Sequence, residues 1–309
     1  MAVVVFGSAN VDLSVDVAVL PKRGETVAGS DCRISLGGKG LNQAIAAHNL
    51  YRGPVRFIGA LGRDYFGEII CSELIRLGLS TDFIRYDSTR PTGTALIHVD
   101  QEAHNSITVS GGANLSWTEA FLSEAFFEGV GVGLCQLETP ASVTYEVLRR
   151  MKSHAAVTIL DPAPMPEQSI EYLFPVVDIL TPNQTEAEKL LGFELKGVDD
   201  AIEGAAELCT QKMLKAVVIT LGENGLAYSE GGAPGKWVAP VAVSAVNTVA
   251  AGDCFNGALA AAIAEGSSFI EAIQFASTAA ALSVAKPGAS ESMPCRESVD
   301  KMMAQARFR

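Results

Sequence analysis

Val130-Gly131-Val132-Gly133-Leu134 is followed by helical spacing over Thr139–Met151 and by the apolar runs Val157–Leu160 and Val177–Leu180. A second helical stretch, Thr185–Leu191, and the run Ala216-Val217-Val218-Ile219-Thr220 continue the series. The apolar runs are short and mostly rich in β-branched residues, so they read as buried strands, and the segments between them have helical period. Such alternation predicts a mostly parallel sheet covered by helices on both faces, three layers in all. Working outward, Val3–Phe6 and Val55–Ile58 add strands, while the stretch from Leu41 to Ala47 and Phe66–Leu77 add helices. Residues 12–35, Thr92–Val99 and Ser106–Val109 fall outside this rhythm. They alternate weakly, carry Pro21 and Gly24, and are broken by the polar turn Asp100–Asn105. The expected architecture is one α/β domain over residues 1–309, with a small β-sheet lid formed by about 12–35 and 92–109.

With 48% hydrophobic and 19% charged residues, the 309-residue chain can bury a sizeable core. Its formal net charge of −12 argues against a broad basic face for nucleic acid. A polyphosphate would have to be held by local N–H groups and a few cations. The six cysteines (Cys32, Cys71, Cys135, Cys209, Cys254, Cys295) show no C-x-x-C spacing, and the four histidines (His48, His98, His104, His154) form no cluster. Zinc is therefore not expected, and reduced cysteines in a cytoplasmic protein are. Met1–Phe6 lacks the basic segment of a secretory leader, and no run reaches the roughly 20 apolar residues that span a bilayer.

Ligands of open α/β sheets bind beyond the carboxyl ends of the strands. Asn10 and Asp12 lie there after the first strand, Glu138 after Leu134, Asp161 after Leu160, Asn183 after Leu180 and Gly222 after Thr220. The segment Asn247-Thr248-Val249-Ala250-Ala251-Gly252-Asp253 runs into a long apolar helix. The first N–H groups of a helix lack internal partners, and its dipole favours an anion. The small side chains of Ala250, Ala251 and Gly252 would let an anion approach, with Asp253 at its edge. In Gly37-Gly38-Lys39-Gly40-Leu41-Asn42-Gln43, glycines open a helix, while Lys39 and Asn42 offer donors to hydroxyls or phosphate. Asn10 and Asp12, if extended, face the same side, and a carboxylate can accept from two sugar hydroxyls. Asn183 and Glu186 are three apart at a helix start. They suit either water held around magnesium or a capping pair. No G-x-x-x-x-G-K-[ST] occurs, and Gly231–Trp237 reads as a hairpin turn. No G-x-G-x-x-G follows the first strand, so neither a P-loop nor an ordinary dinucleotide site is expected.

Seven segments in order resemble the ribokinase-like (PfkB) carbohydrate kinases over nearly the whole chain. They are Gly7-Ser8-Ala9-Asn10-Val11-Asp12, Gly37–Ala44, Gly62-Arg63-Asp64-Tyr65-Phe66-Gly67, Gln136-Leu137-Glu138, Thr181–Glu188, Thr220-Leu221-Gly222-Glu223-Asn224-Gly225 and Asn247–Asp253. The resemblance implies the ribokinase-like fold and transfer of the ATP phosphoryl group to the 5-hydroxyl of D-ribose, giving ribose 5-phosphate and ADP. It implies Asp253 as base, with the N–H groups of Ala250, Ala251, Gly252 and Asp253 stabilising the transferring group. Asn10, Asp12, Gly38, Lys39, Gly40, Asn42 and Glu138 would hold the sugar. Asn183, Thr220, Leu221, Gly222, Glu223, Asn224, Gly225, Gly252 and Ser277 would lie along ATP, with Glu186 near Mg2+. It also suggests a homodimer formed through the lid.

Two positions depart from the family pattern. Asn247 stands where these kinases usually carry an Asp that helps bind a monovalent cation. With Val249, Ser283, Lys286, Gly288 and Ser292 completing that site, K+ binding is expected to weaken or vanish. Leu50-Tyr51-Arg52-Gly53 replaces a small-residue helix ending, a change expected to affect packing. The alternatives are a family kinase for deoxyribose, fructose or a nucleoside, and a non-catalytic sugar sensor on the same fold. Asn10, Asp12, Lys39, Asn42 and Glu138 favour a small polyol over an aromatic base, and Asp253 favours an enzyme.

Overall fold

The computed structural model describes residues 1–102 and 104–306. Ala103, within the polar turn expected between two lid strands, and residues 307–309 lie outside the described residues. Strands β1 (Ala2–Phe6), β4 (Val55–Gly62), β5 (Ile84–Asp87), β8 (Val130–Cys135), β9 (Val157–Leu160), β10 (Ile179–Leu180), β11 (Ala216–Thr220), β12 (Leu226–Glu230) and β13 (Lys236–Val238) form one sheet. Their order is β13-β12-β11-β10-β9-β8-β1-β4-β5. All neighbours from β11 to β5 are parallel, whereas β12 and β13 form an antiparallel edge. The parallel strands therefore end on one side, and the loops that follow them share one edge.

The helices are α1 (Lys39–Leu50), α2 (Tyr65–Leu77), α3 (Ala141–Ser153), α4 (Gln184–Leu191), α5 (Val198–Gln211), α6 (Ala251–Ala264), α7 (Phe269–Val284) and α8 (Arg296–Ala306). Alternation along β1 sorts them into two layers. Val3 and Val5 join a cluster with Leu41, Ile45, Leu259 and Ile273. Ala2, Val4 and Phe6 join a second with Val147, Leu148 and Leu208. Thus α1, α6 and α7 cover one face and α3 and α5 the other, giving the three expected layers. Burying each large apolar side chain contributes about 1.5–3 kcal/mol, so the two clusters hold the strand ends firmly. Among the described residues no helix is long and apolar enough to cross a membrane.

A second sheet of β2 (Asn10–Asp16), β3 (Arg33–Gly37), β6 (Gly93–Val99) and β7 (Asn105–Ser110) has the order β3-β2-β6-β7. It begins at Asn10, so Asn10 and Asp12 ride on its first strand instead of on the loop after β1. The motif Gly62–Gly67 fastens this sheet to the body. Asp64 caps α2 through the Gly67 N–H at 2.9 Å and also accepts from the Thr92 N–H at 2.8 Å and the Thr92 hydroxyl at 2.7 Å. Thr92 is the residue before β6, so one carboxylate fixes the point where that strand leaves.

Some boundaries differ from the sequence reading. β4 runs on through Gly59 and Gly62, because Gly59–Gly62 pairs with β5, a short strand that lacked an apolar pattern. β10 starts at Ile179: the preceding Asp178 carboxylate accepts from the Thr158 N–H at 3.1 Å and faces Lys152 and Lys215. α3 starts at Ala141 with Pro140 at its cap position, and the Thr139 hydroxyl bonds that of Thr144 at 3.0 Å. The turn expected over Gly231–Trp237 is confined to Gly231–Gly235, and Lys236 and Trp237 belong to β13. At the end of α1, the Tyr51 hydroxyl donates to the Met1 carbonyl at 2.8 Å, tying that ending to β1.

Candidate active site

Residues 239–250 approach α6 without regular structure. Ala250 then adopts φ 60°, a left-handed conformation that costs a residue with a β-carbon about 1–2 kcal/mol, and α6 starts at Ala251. No side chain caps this helix. The Ala251 N–H reaches the Thr248 carbonyl at 3.3 Å, but those of Gly252 and Asp253 find no acceptor among the described residues. A β-carbon on Gly252 would meet nothing within 4 Å, so the space beside this helix start is open.

Asp253 turns inward and is only 5% exposed. A buried carboxylate needs partners, and one face of α1 supplies them from positions spaced three and four apart. Asn42 Nδ2 donates to Oδ2 and Gln43 Nε2 to Oδ1, each at 3.0 Å, and Lys39 Nζ stands 4.0 Å from Oδ1. The Asp253 charge raises the proton affinity of Lys39 against the effect of burial, so Lys39 is a fixed cation. A second carboxylate lies behind. Gln43 Nε2 also donates to Asp161 Oδ2 at 2.8 Å, and Gln136 Nε2 donates to Gln43 Oε1 at 2.5 Å. Burial pushes Asp161 up to about 8 against the pull of Lys39, with the charges of Asp253 and Glu186 adding to the rise.

The start of α1 sits on the end of β1. Gly38 has φ 88°, and a β-carbon there would lie 2.9 Å from the Asn10 nitrogen. Gly40 lies against Gly7, leaving no room for a side chain on either. With glycine at the cap position, the cap comes from a distant residue. Glu138 Oε2 accepts from the Lys39 N–H at 2.9 Å and from the Ser8 hydroxyl.

On the lid sheet, Asn10 and Asp12 alternate along β2 and so share a face. Glycines flank both. A β-carbon on Gly93 would lie 2.1 Å from Asn10 Oδ1, and one on Gly37 2.2 Å from Asp12 Oδ1. Asn114 accepts from the Ala9 N–H at 2.9 Å and donates to Asn10 Oδ1 at 2.8 Å. It thereby sets the Asn10 amide with its oxygen towards Asn114 and its NH2 group on the other side. Burial, followed by the charges of Glu138, Glu291 and Asp253, raises Asp12 to about 6. The lid pair is thus in electrostatic reach of Asp253.

Along the same edge, Asn183 bridges to Thr220. Asn183 and Glu186 form a reciprocal capping box on α4, each accepting the other's N–H at 2.9 Å, so the capping geometry weighed from the sequence is present. Glu186 is buried, which raises its proton affinity. After Thr220 and Leu221, the turn Gly222–Asn224 is exposed, and its Asn224 carbonyl accepts from Trp237 Nε1 at 2.9 Å before Gly225 leads into β12. Asn256 ties this edge to α6: it accepts from the Thr181 hydroxyl at 2.7 Å and donates to the Gly252 carbonyl at 3.0 Å. Ser277 lies half-buried in α7, without a hydrogen bond to the residues around Asp253. Asn114, Gln43, Gln136 and Asn256 had no assigned role in the sequence reading, and Asp161 was placed only at the ligand edge. Each acts through a partner far away in the chain.

The six residues of the expected cation site lie near the end of α7. The N–H groups of Val246 and Asn247 both reach the Val284 carbonyl. Asn247 Oδ1 accepts from the Val249 N–H at 2.9 Å, and the Ser283 carbonyl from the Lys286 N–H at 3.1 Å. The Ser292 hydroxyl donates to the Ala289 carbonyl at 2.7 Å, and Gly288 has φ 97°. Two oxygens of this set, Asn247 Oδ1 and the Ser283 carbonyl, already accept hydrogen bonds, and none of its six residues supplies a carboxylate. Among the described residues, no three His, Cys, Asp or Glu gather as metal ligands.

Residues 2–296 match the family described as pfkB family carbohydrate kinase. The chain is 38% identical over 304 residues to ribokinase of Haemophilus influenzae, with 98% of each chain covered. It is 37% identical over 305 residues to ribokinase of Bacillus subtilis, covering 97% of this chain and 98% of that one. The structure of Arabidopsis thaliana ribokinase complexed with ribose and ATP matches with a TM-score of 0.90 at 35% identity, covering 98% and 99% of the two chains. The chain belongs to the pfkB family of carbohydrate kinases. Its fold is the ribokinase-like one, and its class is that of phosphotransferases acting on a sugar hydroxyl.

Proposed function

We propose that this protein transfers the γ-phosphoryl group of ATP to the 5-hydroxyl of D-ribose. The observation that carries the reading is Asp253: a buried carboxylate at the uncapped start of α6, held by Asn42 and Gln43 and within electrostatic reach of Asp12. In this reading Asn10, Asp12, Lys39, Asn42 and Glu138 bind the sugar hydroxyls, around the tight turn of Gly38 and Gly40. The nucleotide lies along Asn183, Thr220–Gly225 and Ser277, with its terminal phosphates at the N–H groups of Ala250–Asp253. The 5-oxygen bonds to the γ-phosphorus, the bond to the β–γ bridging oxygen breaks, and the hydroxyl proton passes to Asp253. A loose transition state makes little demand on early deprotonation, so positioning matters more than basicity.

Mg2+ arriving with ATP neutralises charge on the phosphates. Glu186, buried and already capping α4, suits contact through the ion's water shell better than direct ligation. For the monovalent cation, Asn247 supports weak binding at most. Asn247→Asp is expected to increase activation by potassium, and an unchanged salt response would remove the site. Exposed Ile34, Leu96, Ile107 and Val109 on the lid sheet support a homodimer formed there, and the free cysteines suit the cytoplasm.

The test is ADP release on a panel of ribose, deoxyribose, fructose and nucleosides. Ribose should give the highest kcat/KM, with deoxyribose clearly lower because Asp12 loses a hydroxyl partner. Turnover of a nucleoside or hexose without turnover of ribose would reject the substrate. Ribose binding with no turnover on any sugar would support a sensor.

A further inference from the structure

We propose that Gln43 and Asp161 are positioning residues for Asp253, with one amide group bridging the two buried carboxylates. The inference rests on Asp253 acting as proposed above. The Gln43 NH2 group has two N–H bonds: one meets Asp253 Oδ1 at 3.0 Å, the other Asp161 Oδ2 at 2.8 Å. Its oxygen is held by Gln136 Nε2 at 2.5 Å, so the amide cannot flip without breaking all three bonds. An amide carries no proton between acids at ordinary pH. What it transmits is orientation: the plane of the Asp253 carboxylate follows that of Gln43.

Asp161 determines how firmly that bridge leans towards Asp253. The charged groups around it are Lys39 on α1, Asp253 on α6 and Glu186 on α4. Two ionised carboxylates sharing one amide beside a third acid, with Lys39 as the nearby cation, would be costly. Burial accordingly keeps Asp161 protonated until about pH 8. As a neutral acid it accepts one N–H of Gln43 weakly and adds no charge where the triphosphate must sit. Once ionised, it draws Gln43 towards itself and repels the anionic nucleotide.

The measurement compares kcat/KM against pH for the wild type, Gln43→Met, Asp161→Asn and Asp253→Asn, with ATP and ribose. Because kcat/KM reports ionisations of the free enzyme, the wild type should lose activity as pH rises through about 8. Asp161→Asn keeps an acceptor oxygen for Gln43 and should lack that alkaline limb. Gln43→Met should lose about 10- to 100-fold in kcat, with the sugar KM little changed. Parallel pH profiles for wild type and Asp161→Asn, or wild-type kcat in Gln43→Met, would overturn the pair.

Thermal unfolding supplies a readout independent of turnover. The folded Asp161 binds its proton more tightly than the unfolded chain does, so its ionisation costs stability as pH rises from about 4 through about 8. Asp161→Asn should therefore melt above wild type at pH 8, by a margin that shrinks towards pH 4. A constant margin would contradict the buried neutral acid, even if Gln43→Met fails to fold. Asp253→Asn separates the two readings. If it is inactive while the other variants behave as wild type, this inference alone falls; if it is fully active, the proposed function falls as well.

Discussion

Two helices of this molecule begin in the same unusual way and end up differently used. Both α1 and α6 are preceded by a residue of positive φ, Gly38 at 88° and Ala250 at 60°, and neither has a side-chain cap of its own. At α1 the missing cap is supplied by Glu138, which also holds Ser8 and so locks the helix onto β1. At α6 no residue among those described fills the place, and the space beside Gly252 is open. The same electrostatic preference for an anion is satisfied internally at α1 and is unmet by the described residues at α6. That contrast separates a helix start capped within the fold from the one proposed to meet the phosphates.

The largest effect should come from the open end. Asp253→Asn is expected to lower kcat by about a hundredfold or more while ribose binding largely survives, as measured by single-turnover kinetics and calorimetry. Wild-type turnover would erase the functional difference between the helices. At the closed end, Glu138→Gln removes the charge that caps α1. Stability should fall by about 1 kcal/mol in urea unfolding, and the ribose KM should rise. Unchanged stability would mean that Glu138 serves the ligand alone.

A subtler effect concerns the lid pair facing both helices. In the proposed sugar site Asp12 must be ionised to accept two hydroxyls, and burial with its acidic neighbours raises it to about 6. The kcat/KM for ribose should therefore drop as pH falls through about 6, and Glu291→Gln should move that limb to lower pH by removing one repelling charge. A limb that stays in place would put the titration elsewhere. The smallest effect is at Ala250. Replacing it with Gly relieves the left-handed strain and should stabilise the fold by up to about 1 kcal/mol, with KM for ATP nearly unchanged. A loss of stability would show that the elbow is held by contacts rather than strained.

Much of this was legible in the sequence because it depends on local pattern. The apolar runs at Val130, Val157 and Ala216 gave the parallel core, and the glycines at 37, 38 and 40 marked the helix start that needs them. What stayed hidden depends on distant pairing. β5 has little apolar pattern and becomes a strand only by lying beside Gly59–Gly62. Asn114 resembles any loop asparagine until it is found fixing the amide of Asn10, 104 residues away in the chain. Asp161 and Gln136 likewise gain meaning only where Gln43 joins them. The small-residue run before Asp253 pointed to a helix start free of bulk, but not to Ala250 making the elbow with a β-carbon present.

The most direct test is a crystal structure of the protein with ribose and a non-hydrolysable ATP analogue. The account predicts terminal phosphate oxygens within hydrogen-bonding distance of the Gly252 and Asp253 N–H groups, and an Asp253 oxygen on the sugar's 5-hydroxyl. A triphosphate bound elsewhere, with the α6 N–H groups facing water and Asp253 away from the sugar, would contradict it.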